Sequence, residues 1–301
     1  MFGHSRSIHA QPQLDDFPPD EAEKIARTAA VRGWEFAAHE YMRALSHHAY
    51  RHAVDEYRAH NRFLLPLEGV GRVLCLRCGW GAVAFNLAGC LPAVLALDDR
   101  PAHLHFMAAR RRQSGVETLH LVRACLSAPL PFATGSFEAA IIQDTPEIWQ
   151  PAATWKNNRY ASHLLAELHR VVRDAGWLLI SAPNRLGIVR SRREIQSSSQ
   201  TLWRYRSLLH EAGFADVGFY APLPSDAEPF FIVPLQSRWI LEFFMDRILQ
   251  AEDYRTKLQV RGLSGVFRIV WALWQLSRWL RLTGLARYVV PAYLITARKQ
   301  V

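Results

Sequence analysis

VLCLRCGWGAVAFNLAG, residues 73–89, carries the reading of this chain. Val73 to Leu76 make a short apolar strand, a turn with Gly79 and Gly81 follows, and the run from Ala82 opens a helix. Glycines let the backbone approach a ligand, and a helix start leaves N–H groups without partners. The next strand, AVLALD (93–98), ends in Asp98, whose carboxylate can accept from two vicinal ribose hydroxyls. A glycine turn plus a second-strand carboxylate points to a nucleotide. Taken alone it does not choose one, because G-W-G-A-V-A (79–84) also satisfies the dinucleotide spacing G-x-G-x-x-A.

Outward from this unit, strand and helix alternate. LHLV (119–122), FEAAIIQ (137–143) and WLLISAP (177–183) read as further strands, with a basic helix through Arg112 and a helix around 162–173 between them. Apolar strands separated by helices form a parallel sheet covered on both faces. TLWRYRSLLHEAGF (201–214) is an amphipathic helix that stops at Gly213, and ADVGFYAPLP (215–224) is a sixth strand. Upstream, residues 1–18 are polar. Asp20 with Glu23 resembles a capping box, Gly33 a helix stop, and a second helix fits Trp34 to about Arg62. Downstream, 235–287 reads as mostly helical and YVVPAYLITARK (288–299) as the last strand. The organisation expected is therefore an N-terminal helical segment (1–65), an α/β core (66–234), a helical insert (235–287) and a final core strand (288–301).

Composition narrows the classes. The 301 residues are 50% hydrophobic, which supports a substantial core and excludes long disorder. Four irregularly spaced cysteines do not make a secreted disulfide scaffold, so a reducing, cytoplasmic setting is expected. The N-terminus shows no signal peptide, and no uninterrupted apolar stretch is long enough to span a bilayer. The net charge of +9 suggests an acidic partner: nucleic acid, anionic lipid or a phosphorylated substrate. Nucleic acid is disfavoured, because no RNA-binding module is recognisable and the insert's basic residues alternate with apolar stretches. On a helical wheel of 263–282, Ser264, Arg268, Gln275 and Arg278 form a stripe opposite Ile269, Leu273, Leu276 and Leu280. Trp274 and Trp279 flank that stripe, a pattern that suits peripheral contact with an anionic membrane or a cap over the core.

Two further stretches choose the family. LPFATGSFEAAII (130–142) resembles the approach to the fourth strand, LPF-x-x-x-SFD, in class I S-adenosylmethionine-dependent methyltransferases of the small-molecule and lipid branch. LLAELHRVVRDAGWLLISAPN (164–184) is similar to that family's E-x-x-R-V-L-K-P-G-G helix and fifth strand. The resemblance covers roughly residues 66–220 with the last strand added. It implies a Rossmann-like, mostly parallel seven-stranded sheet. Asp98 would hold the ribose of S-adenosylmethionine, and Gly79 and Gly81 would admit its methionine part. Asp144 and Asn184 would be substrate-pocket candidates. No metal is expected, although Cys75-x-x-Cys78 and the stripe His48, His52, Glu56 have ligand-like spacing.

The chain also departs from that pattern. Where the family reads D/E-x-G-x-G-x-G, this sequence has Cys75-Leu76-Arg77-Cys78-Gly79-Trp80-Gly81. Arg77 replaces the first glycine and can either pair with the cofactor carboxylate or fill the pocket. The adenine-reading carboxylate would fall near Cys125 or Leu126, and the triplet after the fourth strand is Pro146-Glu147-Ile148. The expectation is methyl transfer to a small, hydrophobic or anionic acceptor, with lipid- or glycan-linked molecules included. The alternative is a methyltransferase-like protein that has lost catalysis and serves a structural or membrane-associated role. No catalytic base is identified.

Overall fold

A computed structural model describes residues 17–45, 50, 53–54, 57–143, 159–187, 200–224, 229–250, 272, 274–276, 283–288, 290 and 292–300. Asp144, the triplet 146–148, His48, His52, Glu56 and most of 263–282 lie outside these residues.

The strands are β1 (Arg72–Leu76), β2 (Ala93–Asp98), β3 (Leu119–Arg123), β4 (Phe137–Ile142), β5 (Val172–Pro183), β6 (Phe214–Pro224), β7 (Pro229–Pro234) and β8 (Ala292–Lys299). Their order in one sheet is β3-β2-β1-β4-β5-β8-β6-β7. β3 through β5 pair in parallel, whereas β8 runs antiparallel between β5 and β6. The expected fold class holds, but the sheet has eight strands rather than seven. The additional strand is β7, which pairs antiparallel with β6 at the edge.

Alternate residues of each central strand feed opposite layers. Leu74 and Leu76 join a core with Leu164, Leu165 and Leu168 of α4 (Arg159–Val171) and Tyr205, Leu208 and Leu209 of α5 (Leu202–Glu211). Val73 and Cys75 face Ala84, Phe85 and Leu87 of α2 (Ala82–Ala88) and Leu104 and Met107 of α3 (Pro101–Ser114).

A third cluster joins Ile25, Ala26 and Ala29 of α1 (Pro19–Arg32) to Trp80, Phe106 and Ala109. Helix α1 starts at Pro19, one residue before the Asp20 of the expected capping box. Pro19 occupies its first turn, where no N–H is needed, and no side chain caps it. Gly33 ends it as expected. Of the helix expected from Trp34 to about Arg62, the described residues run helically from Trp34 to Leu45 with a π segment at Ala38–Met42, are helical again at Tyr50, Ala53 and Val54, and form a 3-10 segment at Tyr57–Leu64 where an α-helical end was expected. Ala37, Ala38 and Met42 of this stretch all enter the buried cluster. Beyond β7 lies α6 (Arg238–Gln250), and a 3-10 turn, Thr283–Tyr288, precedes β8.

Candidate active site

The carboxyl ends of β1 and β2 hold the cofactor candidates. The turn after β1 runs through positive φ three times, at Arg77 (49°), Gly79 (53°) and Gly81 (94°). Glycine carries no penalty there, whereas an arginine costs roughly 1–2 kcal/mol. The first position therefore demands the glycine-like conformation that the family motif encodes, and Arg77 is forced into it.

The two glycines do different work. Nothing stands within 4 Å of where a Gly79 Cβ would be, so space lies open beside it. A Cβ on Gly81 would lie 2.8 Å from Met107 Cγ, so this glycine lets α2 pack against α3. Trp80, between them, is buried and packs edge-on against Phe17, His103 and Phe106. It plugs the turn into the N-terminal helical cluster.

Asp98 is 2% exposed and braced on three sides. Its Oδ2 accepts from the Gly79 N–H (3.0 Å), and its Oδ1 accepts from the Arg100 N–H (3.0 Å) and lies 3.2 Å from His103 Nδ1. Burial by itself would raise its pKa. The hydrogen bond and charge of His103, with the Arg100 and Gly79 amides, outweigh it and hold the carboxyl below its ordinary value. A carboxylate has about four acceptor positions, so one remains on Oδ2, beside the open space at Gly79. These residues fit a ribosyl ligand held through one hydroxyl. Oδ1, one of the two oxygens available for the expected ribose contact, is engaged by Arg100 and His103 in this structure. Sequence reading missed His103, although a histidine five residues after Asp98, in the first helical turns of α3, was available as a signal.

Cys78 Sγ donates to the Cys75 carbonyl (2.9 Å), and burial pushes the Cys78 thiol up, so it stays protonated.

Next to β4, the motif that chose the family has a visible task. Glu167 accepts from the Leu130 N–H (2.7 Å) and pairs with Arg170 through both oxygens (2.8 and 2.9 Å). Arg170 donates onward to the carbonyls of Phe132 (2.7 Å) and Leu130 (3.0 Å). The E-x-x-R pair is thus a clamp on the LPF turn, and Arg170 lowers the Glu167 pKa to about 2.

At the end of β5, Asn184 is fully buried. Its amide donates to the Tyr288 carbonyl (2.8 Å) and the Val290 carbonyl (2.6 Å), and its oxygen accepts from the Leu186 N–H (3.1 Å). The structure therefore places this pocket candidate as a tie between β5 and the turn before β8. The structure brings Gly79, Asp98 and Arg77 together at one turn, and Asn184 two strands away.

Residues 74–180 match the family model described as a methyltransferase domain. With the sheet order and the β1 turn, this decides the relationship. Over these residues the α/β core carries a methyltransferase domain with the fold of the class I S-adenosylmethionine-dependent methyltransferases. No curated protein matches the chain. Among solved structures it is similar to phosphoethanolamine N-methyltransferase 2 of Haemonchus contortus in complex with S-adenosyl-L-methionine, at 13% identity and TM-score 0.51. That match covers 93% of this chain and 60% of the other. It is also similar to a chain in the complex between the Haloferax volcanii Trm112 methyltransferase activator and a methyltransferase, at 15% identity and TM-score 0.50, covering 93% of this chain and 99% of that one. These likenesses establish the fold. S-adenosylmethionine is the cofactor of this methyltransferase family, and the groups around Gly79 and Asp98 suit it.

Proposed function

We propose that this chain transfers a methyl group from S-adenosylmethionine to a small, hydrophobic or anionic acceptor. The observation that carries the reading is the Gly79–Asp98 pair at the carboxyl ends of β1 and β2, with an acceptor position left on Asp98 Oδ2 and open space at Gly79. Bound there, the cofactor supplies an electrophilic sulfonium methyl. Asp98 accepts from its ribose, kept ionised by His103 and two amides. The turn's backbone orients the methionine portion, and the buried Trp80 keeps water from the flank toward α3. Catalysis then rests mainly on orientation, in keeping with a site in which no base is assigned.

Two features support an anionic or apolar acceptor and contact with an anionic membrane. Helix α6 exposes Trp239 (71%) and Phe243, and β7 exposes Phe231. Arg247 lies 5.4 Å from the Phe243 ring, while the acids of α6 are engaged: Glu242 with Arg238 and Asp246 with the Trp274 indole. Trp274, expected to flank the basic stripe, is instead buried against α6, so the exposed aromatics of α6 itself are the better membrane contact. Among the described residues no helix is long and apolar enough to cross a membrane.

Incubation with methyl-labelled S-adenosylmethionine and a fractionated small-molecule and lipid extract tests the reading. Label should enter organic-soluble or anion-exchange-retained products. Label confined to polypeptide or nucleic acid contradicts it.

A further inference from the structure

At the end of β5 a second set of groups stands together that the cofactor site does not use. Trp203, in the first turn of α5, stacks on Tyr288 with ring centroids 4.4 Å apart and planes at 22°. The guanidinium carbon of Arg287 lies 4.8 Å from the centroid of the same Tyr288 ring. Trp203 is 54% exposed, so the stack offers a planar apolar surface to a ligand. Arg287 is half-buried, its Nε is shielded from solvent, and that atom has no hydrogen-bond partner among the described residues. No described carboxylate pairs with the group. A shielded guanidinium N–H without an acceptor costs stability unless something else supplies the acceptor.

The backbone under these groups is fixed. Asn184 binds the carbonyls of Tyr288 and Val290, and the Tyr293 hydroxyl donates to the Arg287 carbonyl (3.2 Å). The Tyr205 hydroxyl donates to the Pro183 carbonyl (2.7 Å), which ties α5 to the same strand end. The cluster is therefore held on rigid elements, as a binding site requires. Its place in the sheet is also apt. β5 is two strands from β1 through β4, so its end lies about 10 Å across the carboxyl edge from the Gly79 turn. That span suits a small acceptor lying between the cofactor and this cluster.

We propose that Arg287, Trp203 and Tyr288 form the acceptor subsite, and that the acceptor is a planar, unsaturated or aromatic molecule bearing an oxyanion, either carboxylate or phosphate monoester. Arg287 takes the oxyanion through its N–H groups, and the Trp203–Tyr288 stack takes the planar part. This rests on the methyltransferase reading above and specifies its acceptor. Methyl transfer itself asks nothing of these three residues beyond placing the acceptor.

The test uses the full chain and three probes: benzoate, phenyl phosphate and neutral benzyl alcohol. Binding is followed by tryptophan fluorescence and calorimetry, with S-adenosylhomocysteine titrated separately. The wild type should bind benzoate or phenyl phosphate at least tenfold more tightly than benzyl alcohol, with quenching that is absent in Trp203→Ala. Arg287→Met should lose tenfold or more for the anionic probes while binding S-adenosylhomocysteine like wild type. Arg287→Lys should recover part of the anion affinity, which a merely structural arginine would not do. The subsite is overturned if wild type binds none of the probes at millimolar concentration. It is also overturned if the alcohol binds as well as the anions, or if Arg287→Met leaves anion affinity unchanged. Failure of wild type to bind S-adenosylhomocysteine would instead strike the methyltransferase reading on which the subsite rests.

Discussion

The two halves of the sheet's carboxyl edge are built in different ways. The half proposed to hold the cofactor draws Gly79, Asp98, Arg100 and His103 from residues 79–103, and most of its contacts are between backbone amides and one carboxylate. The half at β5 joins Asn184 to Tyr288 and Val290, more than a hundred residues apart, through side chain to backbone bonds. The first half tolerates drift at Gly79 and Arg100, whose donors are backbone amides, and hangs on the single Asp98 carboxylate. The second depends on particular side chains, and one deletion should unfasten it.

Substitution at Asn184 should show the largest effect. Asn184→Ala removes two donors and an acceptor from a fully buried position, leaving carbonyls of Tyr288 and Val290 without partners. Thermal or denaturant unfolding should register a loss of about 2–4 kcal/mol. S-adenosylhomocysteine affinity of the folded fraction should stay as in wild type. A loss of cofactor affinity equal to that of an Asp98 variant would mean that the halves are not separate.

The clamp on the LPF turn should come next and carries a pH signature. The Glu167 carboxyl is held at about 2 in the folded chain, below its ordinary 4.5. Its stabilising contribution is therefore complete above pH 4.5 and is lost as pH falls toward 2. Glu167→Gln should lower stability at neutral pH by about 2 kcal/mol, the scale of a charged hydrogen bond. It should also flatten the acid limb of the stability curve between pH 4.5 and 2. An acid limb as steep as that of wild type would contradict the assignment.

Arg77 should show the smallest effect, and of opposite sign. Arg77→Gly relieves a left-handed arginine at φ 49°. It should raise stability by up to about 1 kcal/mol, a shift of roughly 2–4 °C in Tm for a chain of this size. A lower Tm would mean that the arginine's own contacts outweigh the backbone strain.

The same comparison explains what was legible in the sequence. Strands β1 to β5 announce themselves through apolar runs and through motifs whose partners lie close in the chain, such as Glu167 and Arg170 on one helix. The turn at Gly79 and the carboxylate at Asp98 are likewise readable, because spacing encodes their meeting. The separate tasks of Gly79 and Gly81 were not, since Met107 fills the space at Gly81 only after α2 and α3 pack. β7 escaped because proline at both ends masks a short edge strand. The tie at Asn184 and the cluster at Arg287 were beyond reach, because nothing in either local stretch states that β8 inserts beside β5. In the N-terminal region the four-residue spacing suggested an α-helix, and the structure adds a π segment at Ala38–Met42 and a 3-10 segment at Tyr57–Leu64 that spacing does not announce.

We propose that the degenerate glycine motif holds S-adenosylmethionine because Asp98 and the Gly79 amide form a unit. Calorimetric titration of S-adenosylhomocysteine into wild type and Asp98→Asn tests it directly. This substitution keeps the volume but turns an acceptor position into a donor, against both the Gly79 N–H and the ligand hydroxyl. The account predicts one saturable site in wild type and affinity at least tenfold weaker in Asp98→Asn, the scale of a charged hydrogen bond. No binding by wild type at millimolar ligand, or equal affinity in the two proteins, would contradict it.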